Sequence, residues 1–83
     1  MKKKDSLWKV NYIIPDTRNV NIIIYDLLGR TIRYLDLKKV QAGRHKYKWY
    51  GTNDFGKQVS TGIYFLQITA GQDTQIQKML LLK

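Results

Sequence analysis

The chain is 83 residues long, enough for one domain with one core that withdraws roughly 60 to 65 per cent of the extended chain's surface from water. It has no cysteine, which excludes disulfides and thiolate metal sites and leaves the redox compartment unread. Six acidic residues, all aspartate, face 15 basic ones for a net charge of +9; that surplus permits loose association with phosphate polymers or anionic lipid, but charges interleaved with apolar residues read first as solvated strand faces.

Met1-Lys2-Lys3-Lys4 has the basic character of a signal-peptide start, but Asp5, Lys9 and Asn11 interrupt the apolar run that an export signal needs. No stretch reaches the ~18 apolar residues of a membrane helix. Residues 1–5 are read as a basic tail and residues 6–83 as the folded domain. From Leu7 to Ile14, Trp8, Val10, Tyr12 and Ile14 alternate with Leu7, Lys9, Asn11 and Ile13, and the strand stops at Pro15-Asp16, because proline lacks the donor that a central ladder requires. Val20 to Tyr25 is the next strand, with Val20, Ile22 and Ile24 toward the core. Asp26-Leu27-Leu28-Gly29-Arg30 predicts a type I turn followed by glycine in the left-handed region, leaving a bulge.

Arg30 to Leu37 puts Ile32 and Tyr34 on one face and Leu35 and Leu37 on the other, a conflict that a bulge would reconcile. Lys38 to Gly43 is read as a loop. His45, Tyr47 and Trp49 then alternate with Arg44, Lys46 and Lys48, a period of two that sends rings to one face and charges to the other. Asn53, Asp54 and Gly56 supply turn chemistry in the segment that follows. Gly62 opens a strand with Tyr64, Leu66 and Ile68 on one face and Ile63, Phe65 and Gln67 on the other, apolar enough on both to lie centrally. Ala70-Gly71-Gln72-Asp73 is a tight turn, and Thr74 to Leu82 the last strand. Short strands punctuated every eight to twelve residues or so predict an antiparallel sandwich or small barrel.

Few residues offer chemistry. His45 is the only histidine, and Ser6 and Ser60, the only serines, lie in no nucleophile elbow. Asp26, Asn53 and Asp54 could gather around a cation, but their spacing fits no calcium loop and turn-making explains them. Ten aromatic residues among so many cations are the raw material of a stacking groove, yet Tyr47, Trp49, Tyr64 and Phe65 fall at strand period and are assigned to a core. The expectation is a non-enzymatic domain with no cofactor, no metal and no small-molecule substrate, and nucleic acid is a remote partner. In the last strand Ile76, Lys78, Leu80 and Leu82 share one face and Gln75, Gln77, Met79 and Leu81 the other, so its end is apolar on both sides. Such an end is either a buried central strand or an edge that invites pairing with another chain.

Val20 to Arg30, then Ala42-Gly43-Arg44-His45 leading to Trp49 and Gly51, then Gly62-Ile63-Tyr64-Phe65-Leu66, and finally Lys78-Met79-Leu80-Leu81-Leu82-Lys83 resemble, in order and spacing, two related groups. These are the C-terminal sorting domain of the bacterial type IX (Por) secretion system and the immunoglobulin-like domain of flagellar hook-capping proteins. The resemblance covers about residues 10–83 and implies an all-β, antiparallel immunoglobulin-like sandwich of about seven strands without the disulfide. In the sorting group it implies that the domain directs a fused, N-terminal cargo protein to type IX secretion and cell-surface display, with the outer-membrane secretion machinery and a sortase-like processing enzyme as partners. Lys78, Met79, Leu80, Leu81, Leu82 and Lys83 match that group's terminal motif and would be the recognition residues. Gly29, Trp49, Gly51, Gly62 and Tyr64 match structural positions. The alternative is an immunoglobulin-like structural or assembly module of the hook-capping type, toward which the Trp-x-Gly-x-Asn-x-x-Gly loop from Trp49 to Gly56 leans. Tyr50 departs from the Asp or Asn usual after the tryptophan, and no Asn-Pro-Phe-like segment precedes the first strand.

Overall fold

A computed structural model describes residues 7–82; the basic tail read over residues 1–5 lies outside them, as does Lys83. Six strands follow in order: β1 (Trp8–Ile14), β2 (Arg18–Asp26), β3 (Thr31–Val40), β4 (Gly43–Trp49), β5 (Gly62–Ala70) and β6 (Asp73–Leu81). All pairing is antiparallel, in a two-stranded β1-β4 sheet and a four-stranded sheet ordered β3-β2-β5-β6. The two sheets meet across one core, a sandwich. Residues 50–61, where a seventh strand could run, form a glycine-punctuated loop with a single isolated bridge between Thr52 and Gln58.

Alternation chooses the core. Val10, Tyr12 and Ile14 of β1, Val20, Ile22 and Ile24 of β2, Tyr64, Leu66, Ile68 and Ala70 of β5, and Met79 and Leu81 of β6 are buried around Trp49. The expected period of two therefore holds in β1, β2 and β5, and β5 lies centrally between β2 and β6. Phe65 is the exception to the core assignment. It shares a face with Ile63 and Gln67, so it turns outward and stacks on Tyr25 at 5.6 Å between ring centroids.

The β2–β3 pairing resolves the conflict in the third strand. Ile24 pairs with Arg33 but Tyr25 with Thr31, so Ile32 is the extra residue of a bulge. It packs against the core with Leu35 and Leu37, while Tyr34 faces outward. A second register shift lies between Arg18 and Val20, where Lys39 takes a positive φ of 51° and donates its N–H to Asn19 Oδ1 at 3.0 Å. That kink lets β3 resume at Val40, so the loop expected over residues 38–43 shrinks to Gln41 and Ala42. Gly29, at φ 85°, follows a turn closed by its own N–H to Asp26 O (3.0 Å), as the hairpin reading requires.

Trp49 and Tyr64 join the sheets edge-to-face, 5.3 Å between centroids and 65° between planes. The indole N–H donates to Thr52 O (2.8 Å) and the Tyr64 hydroxyl to Ser60 O (2.6 Å). The second bond reaches back four residues, the device of a tyrosine corner. Gly51 sits at φ 76°, and a Cβ there would lie 3.2 and 3.3 Å from the methyls of Leu81. Trp49→Ala is expected to lower stability by about 3–5 kcal/mol in urea unfolding followed by far-UV circular dichroism. Gly51→Ala, which meets both the backbone conformation and Leu81, should lose about 1–3 kcal/mol in the same measurement.

Candidate interaction surface

The groups that could have done chemistry are engaged in structure. His45 stacks on Tyr12 (5.4 Å, 22°), and its Nε2 donates to Gln41 O at 2.7 Å. Asn53 Oδ1 accepts the N–H groups of Phe55 (2.9 Å) and Lys57 (3.0 Å), holding the turn that Gly56 completes. Asp26 Oδ1 accepts the N–H groups of Leu28 (3.0 Å) and Arg30 (2.9 Å), and its Oδ2 pairs with Arg30 Nε at 2.8 Å. Ser60 contributes its backbone carbonyl. Among the described residues no three His, Asp or Glu side chains gather in a metal-holding group.

The four-stranded sheet has two edges, treated differently. Along β3, Asp54 acts as a plug: its N–H donates to Ile32 O (3.1 Å) and its Oδ1 accepts the Tyr34 N–H (3.1 Å). Arg33 secures the plug through Asn53 O (3.3 Å) and Asp54 Oδ1 (3.9 Å). The sequence offered only the turn role for Asp54; its place on a strand edge depends on the loop's tertiary course. Along β6, Trp8 Nε1 donates to Leu80 O (3.0 Å) and Gln77 Nε2 to Lys78 O (3.0 Å). Gln75 Nε2 reaches Asn11 O at 3.4 Å, so β1 runs beside this edge.

The six residues assigned to recognition divide accordingly. Met79 and Leu81 lie in the core at 0% and 1% exposure, whereas Lys78, Leu80 and Leu82 face solvent. Lys83 lies outside the described residues. Leu80 lies opposite Ile63, and Ile76 lies in line with Gln67, Ile23 and Tyr34, so β6 adds to a partly apolar stripe on the outer face of its sheet. The structural positions Gly29, Trp49, Gly51, Gly62 and Tyr64 hold the hairpin, the seam between the sheets and the start of β5.

Burial pushes the Asp26 carboxyl up, but the Arg30 N–H, the Arg30 guanidinium and the Leu28 N–H together outweigh it and hold the group below its ordinary value of 3.8. A depressed folded-state value means that Asp26 stabilises the fold above the unfolded carboxyl's range, and that this contribution disappears as pH falls through the folded value. Asp26→Asn should therefore destabilise the protein at neutral pH and reduce its loss of stability between about pH 5 and pH 2, read by urea unfolding at each pH. The acid sensitivity that remains belongs partly to Asp16, lowered by its hydrogen bond to Arg18.

A family model described as the FlgD Ig-like domain matches residues 4–74. The chain is similar to the crystal structure of FlgD from P. aeruginosa, with a TM-score of 0.69 and 23% identity over 90% of this chain. It spans 61% of that structure. No curated protein matches the chain.

Proposed function

The chain belongs to the FlgD Ig-like domain family, and on that premise we propose that it is a non-enzymatic structural or assembly module of the hook-capping type, joined to a larger exported carrier. The observation that carries this reading is the family match over residues 4–74. It agrees with a sandwich whose polar side chains make turns, edge plugs and ion pairs. On this reading the working part of the domain is its surface, and its partner is another folded protein.

A second reading has one observation in its favour: the exposed Lys78, Leu80 and Leu82 on an edge strand. It makes the domain an address for type IX secretion and cell-surface display, read by outer-membrane machinery and followed by sortase-like processing. Recognition would then fall to those three side chains and Lys83, since Met79 and Leu81 are needed inside. The family model that matches is that of the FlgD Ig-like domain, so the assembly reading takes precedence.

A reporter carrying a signal peptide and fused to residues 1–83, expressed in a type IX-competent bacterium, separates the two. Under the assembly reading, the fused domain gives no more surface display than the reporter alone, and replacing Lys78, Leu80 and Leu82, which are exposed, by serine changes nothing. Surface delivery that requires those residues would overturn it in favour of the address. In the native carrier, deleting the whole domain should leave export intact and abolish incorporation into the carrier's assembly, measured by fractionation.

A further inference from the structure

The positive charge of this protein is compensated on one part of its surface and not on another. Every described aspartate has a cationic partner: Asp16 and Asp73 reach Arg18 (2.8 and 3.9 Å), Asp26 reaches Arg30 (2.8 Å), Asp36 reaches Lys38 (3.0 Å) and Asp54 reaches Arg33 (3.9 Å). All of those cations belong to β2, β3 or the turn between them. The outer face of the β1-β4 sheet is different. It carries Lys9, Asn11 and Ile13 from one strand opposite Lys48, Lys46 and Arg44 from the other. All six are exposed, and among the described residues none of the four cations takes part in an ion pair.

Lys9 and Lys48 lie directly across the ladder from one another, a placement that destabilises a sheet. A local pairing rule broken without compensation is a mark of a working surface. A shallow open groove of about 450 Å³ lies here, lined by Asn11, Tyr12, Ile13, Arg44, His45 and Lys46. We propose that this face docks an acidic polypeptide segment in extended conformation. The proposal deepens the assembly-module reading and rests on it for its setting, while its chemistry stands on the face alone.

Three features select that occupant. Arg44, Lys46 and Lys48 recur every second residue of a strand, about 6.8 Å apart, which is the spacing of alternate carboxylates along another extended chain. Ile13, 72% exposed, offers an apolar contact among the cations, which suits the side chains that alternate with carboxylates in such a segment. The rings of these two strands, Trp8, Tyr12, His45, Tyr47 and Trp49, occupy the alternate positions that face the other way, so the cationic face lacks the ladder of stacking platforms by which single-stranded nucleic acid is held.

The test is fluorescence anisotropy with the full 83-residue chain and a labelled peptide of alternating glutamate and valine at low salt. The expected result is saturable binding that weakens about tenfold in the triple variant Lys9→Gln, Lys46→Gln, Lys48→Gln and by less than about twofold in Lys39→Gln, Lys57→Gln, Lys78→Gln, which removes the same charge elsewhere. The first variant should melt at the same or a higher temperature, because it removes the Lys9–Lys48 opposition. Absence of saturable binding, equal weakening in both variants, a lowered melting temperature in the first, or tighter binding of a DNA duplex or of phosphatidylserine vesicles would each overturn the proposal. Peptide binding that persists when domain deletion leaves the carrier's assembly intact would sink the assembly reading and leave this face standing; the reverse pair of results sinks the face alone.

Discussion

The contact on which the molecule depends is the edge-to-face meeting of Trp49 and Tyr64. A two-stranded ribbon has little stability of its own in water, so β1 and β4 persist because their inner face is buried against the larger sheet. Trp49 is the largest side chain in that interface. Its ring and that of Tyr64 also anchor the intervening loop at both ends, through Thr52 O and Ser60 O. With its ends fixed, the loop has one course, and that course brings Asp54 onto the edge of β3. One aromatic pair thus sets sheet stacking, loop position and edge protection together.

The same constraint divides the surface. The inner face of the small sheet must be apolar to be held at all, whereas its outer face has no packing role and is free to carry lysine and arginine. The larger sheet keeps a partly apolar outer face, with Tyr25 and Phe65 stacked across β2 and β5. Its two edges are closed by different means, a carboxylate plug at β3 and side chains of Trp8 and Gln77 at β6. An unguarded edge templates aggregation, and these closures supply the protection that charge alone gives elsewhere.

Much of this was legible in the sequence, because a period of two is a strong signal wherever one face is buried. Val20, Ile22 and Ile24, and equally Tyr64, Leu66 and Ile68, point where alternation places them. The β3 strand was harder, since a bulge inserts one residue and reverses the parity after it: Ile32 and Tyr34 share a parity but not a face. Lys39 hid the strand's end for a related reason, a left-handed kink at a residue type that seldom adopts one. The cationic face of the β1-β4 sheet was the least legible part. Reading charge along the chain suggests even interleaving, whereas the imbalance emerges only when Lys9 is found across from Lys48 and the aspartates are found beside Arg18, Arg30, Arg33 and Lys38.

The bond from Trp8 to Leu80 spans 72 positions, and Met79 and Leu81 complete the interior from the same late strand. A nascent chain emerging from its N-terminus cannot form these contacts until that strand has been released, so the sandwich closes only once all six strands are available. Closing so long a loop carries an entropic penalty that slows the search for the native state. A polypeptide that matures in this order keeps its inner faces and strand edges open to other chains until β6 arrives.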